Sequence, residues 1–152
     1  MKLVVQVKLL PTSVQASALE ATLSACDRAA AYASRIAFAK KLKDRNGLQR
    51  EVYAELKAGV GLSAQPAVRV VKKVVDAYAS VRGRSRRCRR GGGSPVVFRP
   101  DAAQPFDDRR LSWRYDARTV SIWTVEGWLK GNVRRQQLPR PAAGPLPAFA
   151  GP

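Results

Sequence analysis

The chain has 152 residues, 45% of them hydrophobic, with 28 Lys and Arg against 11 Asp and Glu, a formal net charge of +17. This length suits one ordinary domain with a buried core, but the charge disfavours compaction unless a polyanion neutralises it. Nucleic acid is therefore the expected partner. Because there is no histidine and there are only two cysteines, the composition excludes a disulfide framework, a zinc site built within the chain and the commonest general base.

Membrane insertion and secretion are not expected. The sequence contains no apolar run near the roughly 20 residues that span a bilayer. The first eight residues do not resemble a signal peptide, because Gln6 and Lys8 interrupt the apolar run and no small-residue cleavage site follows. We therefore expect a cytoplasmic protein with no membrane partner and no small-molecule substrate.

The first predicted element is a β-strand over residues 3–10, which are rich in β-branched side chains and partly alternating. Pro11 ends this strand. Thr12 and Gln15 have the spacing of a capping box, in which each side chain bonds the backbone N–H of the other residue. The sequence therefore predicts that a helix begins directly after the strand.

A long, alanine-rich amphipathic helix is predicted from the apolar and small residues that recur every three or four positions over residues 14–37. We expect its last turns to contain Lys40, Lys41 and Lys43, where positive charge suits the negative end of the helix dipole. Asn46 and Gly47 are the expected stop signal.

Two further helices are predicted, over residues 48–58 and from an N-cap at Ser63 to Val81. The third has one apolar face, formed by Val68, Val71, Val74, Val75, Tyr78 and Val81. Its opposite face carries Arg69, Lys72, Lys73 and Asp76. That charged face is either an ordinary solvated surface or part of a nucleic-acid contact.

Residues 82–90 contain six arginines, and a glycine-rich stretch follows up to Ser94. Like charges repel and glycine adds flexibility, so we expect this basic linker, residues 82–94, to be disordered when free. Arginine forks match phosphate oxygens, although the segment could also be an exposed linker with no partner. The candidate nucleic-acid-binding residues are Arg82, Arg84, Arg86, Arg87, Arg89 and Arg90, followed by Arg69, Lys72 and Lys73.

The later part of the chain has the period of β-strands. Strands are predicted over residues 95–99, 111–115, 120–125 and 128–133, with a turn at 116–119 and a hairpin turn at Glu126-Gly127. We therefore expect an α+β chain in which a small antiparallel sheet, joined by the first strand, is split by the inserted helices. Four aromatic residues could stack on bases, but alternation favours a core position for each: Trp113, Tyr115, Trp123 and Trp128.

Catalytic motifs are not found. Gly91-Gly92-Gly93 is followed by Ser-Pro, so it is not a phosphate-binding Walker loop. Asp101, Asp107 and Asp108 are the one acidic cluster, but they lie among prolines, and we favour turn or capping roles over metal binding. We expect no catalytic residue, no metal site and no cofactor in this chain, which is not expected to be an enzyme.

One ordered set of residues points to a known family. It consists of residues 2–12, then Gln15, Leu19, Leu23, Cys26, Ala29 and Ala30, and then residues 53–56, 61–65, 70–78, 95–100, 106, 111–113, 115 and 120–122. This set, which covers most of residues 1–131, resembles the start of the TnpB (OrfB) proteins of bacterial insertion sequences. These are transposon proteins understood as RNA-guided DNA endonucleases and are relatives of type V CRISPR effectors.

This resemblance implies a wedge-like β-barrel from residues 1–11 and 95–133, with residues 12–81 as an inserted helical recognition lobe. Together these would hold guide RNA and contact DNA beside the target. The family's nuclease centre, which uses divalent metal, and its zinc ribbon lie beyond the sheet and have no counterpart here. One departure is Val68, where family members usually carry a polar residue that faces DNA.

After Gly131 the resemblance stops, and residues 134–152 are rich in Pro, Ala, Gly and Arg. We expect this tail to be disordered. Because those four residues have GC-rich codons, we hypothesise that the chain is a frameshifted, truncated remnant of a longer gene. The alternative function is a stand-alone structural RNA-binding protein of ribosomal type, and an α+β domain with incidental charge is a third interpretation.

Overall fold

The computed structural model describes residues 7–88 and 93–135, with the backbone alone for residues 83–88, 134 and 135. Three helices and one four-stranded antiparallel sheet confirm the predicted α+β class. In chain order the elements are β1 (Val7–Leu10), α1 (Ser13–Ala39), α2 (Arg45–Ala58), α3 (Ala64–Cys88), β2 (Leu111–Arg114), β3 (Thr119–Thr124) and β4 (Gly127–Arg135).

The strands lie in the order β1-β4-β3-β2. The predicted meander of the last three strands is confirmed, and so is the pairing of the first strand with the later sheet, since Leu10 lies opposite Asn132. Within the described residues β1 and β2 form the two open edges. The closed barrel implied by the resemblance is therefore wrong for this part of the chain, because its two edge strands do not pair with each other.

The predicted capping box at the start of α1 is confirmed. Thr12 Oγ1 accepts from the Gln15 N–H, and Gln15 Oε1 accepts from the Thr12 N–H at 3.1 Å. Gln15 Nε2 also donates to the Lys130 carbonyl at 2.8 Å. Continuing the β1–β4 register would put Lys130 opposite Thr12. The Gln15 side chain therefore bonds a carbonyl of β4 at the point where the β1 backbone leaves the sheet and α1 begins.

The end of α1 differs from the prediction. The helix ends at Ala39, and the Leu42 N–H donates to Ala37 O while the Lys41 N–H donates to Phe38 O, which is the Schellman pattern. The three lysines predicted in the last turns lie after the helix, and Lys41 has a left-handed backbone with φ 52°.

Asn46 and Gly47 do not stop α1, because they lie in the first turn of α2. The Asp44 carboxylate caps α2 by accepting from the Gly47 N–H at 2.6 Å. A side chain that satisfies a free N–H group favours helix initiation over a turn at this dipeptide.

The main core lies between the three helices. Alanine on α1 allows close approach of the neighbouring helices, whose larger side chains fill the interior. The buried residues include Ala29, Ala30 and Ala33 of α1, Leu48, Val52 and Leu56 of α2, and Val70, Val71 and Val74 of α3. Trp123 of β3 joins this cluster, so helices and sheet share packed contacts.

Helix α3 continues to Cys88, beyond its predicted end at Val81 and into the segment for which we expected disorder. Arginine is a good helix former, and adding turns to an existing helix is far easier than starting one. Repulsion between neighbouring arginines weakens a helix by only tenths of a kcal/mol per pair. Residues 89–92 of the predicted linker lie outside the described residues.

Residues 93–107 form an irregular segment, which we call the strap, and the strand predicted at 95–99 is wrong. The Val96 backbone bonds side chains of the helices instead of a neighbouring strand: its carbonyl accepts from Ser34 Oγ at 2.7 Å and its N–H donates to the Tyr78 hydroxyl at 3.3 Å. Phe98 and Phe106 pack against the helical core.

The predicted turn between β2 and β3 is confirmed, with Arg118 in a left-handed conformation. The β3–β4 turn lies at residues 125–126, one residue earlier than predicted, and Gly127 begins β4 with φ 123°. Strand β4 extends to Arg135, and residues 136–152 of the predicted tail lie outside the described residues. Over the described part of the chain, none of the helices is long and apolar enough to cross a membrane.

Candidate nucleic-acid interface

The strand pairing separates the sheet into two faces, because directly paired residues of antiparallel strands point to the same side. One face is apolar and includes the buried residues Val120, Ile122 and Leu129. The opposite face is mostly exposed and polar. By the register it consists of Lys8 and Leu10 of β1, Ser112 and Arg114 of β2, Thr119, Ser121 and Trp123 of β3, and Trp128, Lys130 and Asn132 of β4.

We call the exposed part of this second face the sheet platform. Its cations are Lys8, Arg114 and Lys130, all exposed. Lys130 lies opposite Ser121, which in turn pairs with Ser112, so hydroxyl groups separate the charges. None of the four strands contains an aspartate or glutamate. The platform therefore presents positive charge and hydrogen-bonding groups with no competing carboxylate in the strands.

The aromatic residues of the sheet have different environments. Trp123 is 9% exposed, packs in the helical core and has the Arg110 guanidinium 5.2 Å from its ring centre, so the core prediction is confirmed. Trp128 pairs with Trp123 across β3 and β4 but is 59% exposed, and Tyr115 is 82% exposed. The core prediction is wrong for these two rings, which lie in or beside the turns at the two ends of β3.

Trp113 is 39% exposed. Its partner Val120 is on the apolar face, so the register places Trp113 on that face and away from the platform. Among the described aromatic residues, only Trp128 therefore combines exposure with a place beside the platform cations.

The three cations predicted on α3 are placed differently from one another. The Lys73 ammonium lies 2.7 Å from Asp27 Oδ1, and the two side chains are 11% and 5% exposed. Lys73 is therefore not part of an ordinary solvated helix surface. Arg69 donates to Asp107 Oδ2 from Nη2 at 3.0 Å and from Nε at 3.3 Å. Only Lys72 is exposed, and it pairs with Asp76 one turn later. Lys73 and Arg69 are therefore both engaged in ion pairs within the fold, and nucleic-acid contact by either residue stays a prediction.

The arginines at the end of α3 share one helix as far as residue 87. Arg82 is exposed. The backbone at Arg84, Arg86 and Arg87 is helical, whereas their side chains, with Arg89 and Arg90 entirely, lie outside what the structure describes.

The acidic residues near β2 have the predicted turn role. The Asp107 carbonyl accepts from the N–H groups of Arg110 and Leu111, and its carboxylate binds Arg69. The hydrogen bond from Arg69 is the main cause that holds the pKa of the Asp107 carboxyl below its ordinary value. Within the described residues, no three Asp, Glu, Cys or His side chains lie close enough together to hold a metal ion.

The platform cations Lys8, Arg114 and Lys130 were not among the residues predicted to bind nucleic acid. Alternation within the strands was an available signal, since each alternates with an apolar neighbour on the other face. Their grouping, however, depends on the order β1-β4-β3-β2, which brings residues 8 and 130 into adjacent strands.

Comparison of the chain with protein-family models, with curated proteins and with solved structures gives no match.

Proposed function

We propose that the chain binds nucleic acid and cleaves nothing itself, and that it corresponds to the N-terminal, RNA- and DNA-holding part of a TnpB-like transposon protein. The sheet platform is the observation that carries the proposal. It joins exposed cations with an exposed tryptophan on one face, and its strands contain no carboxylate. Cations neutralise phosphates and release counterions, while an exposed ring stacks on bases.

The ligand class is single-stranded or looped RNA. Platforms of this kind stack successive bases on aromatic rings, each worth about 1–3 kcal/mol, and hold the backbone with Lys and Arg. Trp128 supplies the ring, Lys130 lies two residues further along the same strand face, and Arg114 and Lys8 lie on the strands towards either edge. In the proposed parent protein this RNA is the guide, and target DNA is bound by base pairing with it.

The order of elements supports the TnpB-like assignment. A strand, an inserted group of helices and a returning meander agree with the layout that the resemblance implies, although the sheet is open in the described residues. In the proposed parent, a metal-dependent nuclease domain and a zinc ribbon would follow. We propose that this chain supplies binding only.

RNA binding by the platform is tested with the full chain and a fluorescently labelled single-stranded RNA, by anisotropy at two salt concentrations. Trp128→Ala removes the ring and Lys130→Gln removes one charge. Both side chains are exposed, so the free energy of unfolding should change little. Trp128→Phe keeps a ring and should restore most of the affinity. Lys57→Gln, on the exposed surface of α2, is the charge-matched control.

We expect Trp128→Ala to weaken binding by about 1–3 kcal/mol. Lys130→Gln should reduce the slope of log affinity against log salt by about 0.7, and the Lys57 control should leave it unchanged. Equal effects of Lys130→Gln and Lys57→Gln, or no effect of Trp128→Ala, would contradict a role for the platform.

A stand-alone RNA-binding protein of ribosomal type would also use such a platform. The nucleotide sequence downstream of the coding region separates the two assignments. Coding for a RuvC-like nuclease or a four-cysteine zinc ribbon in any frame supports the TnpB-like fragment. Its absence would leave the stand-alone RNA-binding protein.

A further inference from the structure

The turn between α1 and α2 carries a second exposed concentration of positive charge, which we call the basic tip (residues 40–45). It contains four cations and one carboxylate. That carboxylate, Asp44, caps α2. Lys40 pairs with Glu51, whereas Lys41, Lys43 and Arg45 form no ion pair with any described residue.

Local stability does not favour two of these cations. Lys41 has φ 52° directly after the C-cap of α1, a position where glycine is preferred because it has no Cβ. Arg45 is the first residue of α2, where a positive charge opposes the positive end of the helix dipole. The backbone conformation at 41 would favour glycine, although a positive charge there suits the negative end of the α1 dipole, and the start of α2 would favour a neutral or acidic residue at 45. The charge of Arg45, grouped with the exposed Lys41 and Lys43, therefore points to an anionic ligand.

Further cations connect the basic tip with the sheet. Thr22 accepts from the Val125 N–H at the end of β3, which marks where α1 meets the sheet. Arg28 and Arg35 follow on the exposed face of α1, seven residues and therefore about 10 Å apart on the same side. Cations thus recur along α1 from the sheet to the basic tip. The one acidic residue on the exposed face of this helix is Glu20, near the sheet end.

We propose that Arg28, Arg35 and the basic tip bind the sugar–phosphate backbone of the same RNA strand whose bases stack on the sheet platform. This inference rests on the proposed function. From Thr22 to the end of α1 the distance is about 25 Å, so only a long strand reaches both surfaces. Contact at two surfaces raises affinity through effective concentration.

The test uses one variant that should fold better and bind worse. Lys41→Gly, Lys43→Gln and Arg45→Gln are combined, because the first relieves the left-handed lysine and the last removes a charge that opposes the helix dipole. The control combines Arg50→Gln, Arg99→Gln and Arg109→Gln, which removes three other exposed cations. The probes are an oligouridylate of about 30 nucleotides and a tetranucleotide, about the smallest site size of a stacking platform.

We expect the tip variant to melt at or above the temperature of the wild type. For the long strand, the slope of log affinity against log salt should fall by about 2, as three lost phosphate contacts predict. Tetranucleotide binding should not change. The control should keep most of the wild-type slope with the long strand.

Three results would overturn the inference: equal losses in the tip and control variants, an equal loss with the tetranucleotide, or no loss with the long strand. A fourth is tip-dependent binding to vesicles of anionic phospholipid with no tip-dependent binding to RNA. Failure of the proposed function is recognised separately, because Trp128→Ala would then leave tetranucleotide binding unchanged.

Discussion

Lys73 on α3 and Asp27 on α1 form a buried ion pair, with 2.7 Å between Nζ and Oδ1. The Lys73 ammonium also lies 3.4 Å from the Ala102 carbonyl and 5.4 Å from the centre of the Phe98 ring. One side chain therefore ties two helices to the strap. Asp27 Oδ2 has no hydrogen-bond partner among the described residues, so the lysine provides most of the compensation for burying this carboxylate.

Removing either partner should be severe, because the other charge then stays buried without compensation. We expect Asp27→Ala or Lys73→Ala to lower the free energy of unfolding by about 3–5 kcal/mol in urea titrations. The double variant Asp27→Leu with Lys73→Met should be close to the wild type, since an apolar pair needs no desolvation. A double variant as unstable as either single variant would show that the ion pair itself is required.

A substitution of Gln15 should distinguish its role in capping α1 from its role in attaching α1 to the sheet. Gln15→Glu keeps the acceptor for the Thr12 N–H and adds negative charge at the helix start, both favourable to α1. It removes the donor to the Lys130 carbonyl and sets two oxygen atoms against each other. We expect unchanged helicity, a loss of about 1–2 kcal/mol in unfolding free energy, and faster hydrogen exchange in the β1–β4 ladder.

The exposed Ser17 provides the control for that experiment. Ser17→Glu adds the same charge to α1 without touching the sheet. Normal exchange protection of β1 and β4 in Gln15→Glu would show that the glutamine acts only as a cap.

Tyr78 anchors the strap through its hydroxyl group. It donates to the Ser34 carbonyl at 3.0 Å and accepts from the Val96 N–H. Tyr78→Phe should lower the unfolding free energy by about 1–3 kcal/mol, because two partly buried backbone groups lose a partner. Hydrogen exchange at Val96 should become faster. Tyr115→Phe, at an exposed ring, should leave stability unchanged, and equal effects of the two substitutions would contradict this assignment.

The pair Arg69–Asp107 predicts a dependence of stability on acid. Because the pKa of Asp107 is lowered in the folded chain, the pair stabilises the fold at neutral pH, and this contribution is lost as the pH falls through the folded-state pKa. The stability difference between wild type and Arg69→Met should therefore be largest near pH 7 and shrink below about pH 4. Urea titrations at several pH values measure it.

Lys72→Met is the matched control, because Lys72 and Asp76 are an exposed pair on the same helix. Such pairs contribute about 0–1 kcal/mol, so we expect a small difference at every pH. An Arg69→Met difference that stayed constant from neutral to acid pH would exclude titration of Asp107 as its cause.

Cys26 should be inert in the folded protein. It is buried, and burial raises the pKa of its thiol to about 11, although the nearby Lys73 charge acts in the opposite direction. The thiolate is the reactive form, so alkylation by iodoacetamide at pH 8 should be slow in a Cys88→Ser variant and rapid once urea unfolds it. Rapid modification of the native chain would show that this part of α1 opens readily.

Local patterns predicted much of the fold, and their failures have identifiable causes. The capping box at Thr12 and the meander of β2 to β4 were predictable because turn and capping preferences act over a few residues. The strand predicted at 95–99 failed because distant hydroxyls of Ser34 and Tyr78 bond its backbone. The predicted end of α3 at Val81 failed because adding turns to an existing helix outweighs repulsion between neighbouring arginines.

The positive charge of the candidate site was predictable from the sequence, but the residues that form the site were not. Arg69 and Lys73 were expected to face nucleic acid, but acidic partners 38 and 46 residues away in sequence hold them. Such partners cannot be identified from helical periodicity, which shows the face of a helix and not what packs against it. Trp128 was expected in the core, yet the structure leaves it exposed beside Lys130.

The sequence by itself predicted many of the local elements and led us to expect a polyanionic partner, because net charge, capping residues and alternation act without regard to the final fold. Only the tertiary structure decided which cations are exposed and which are held in buried ion pairs. Packing of the alanine-rich face of α1 against α3 places Asp27 beside Lys73 and withdraws that ammonium from solvent. Pairing of β1 with β4 places Lys8 and Lys130 on one exposed face. Both outcomes depend on contacts between residues distant in the chain, which is why composition and periodicity cannot predict them.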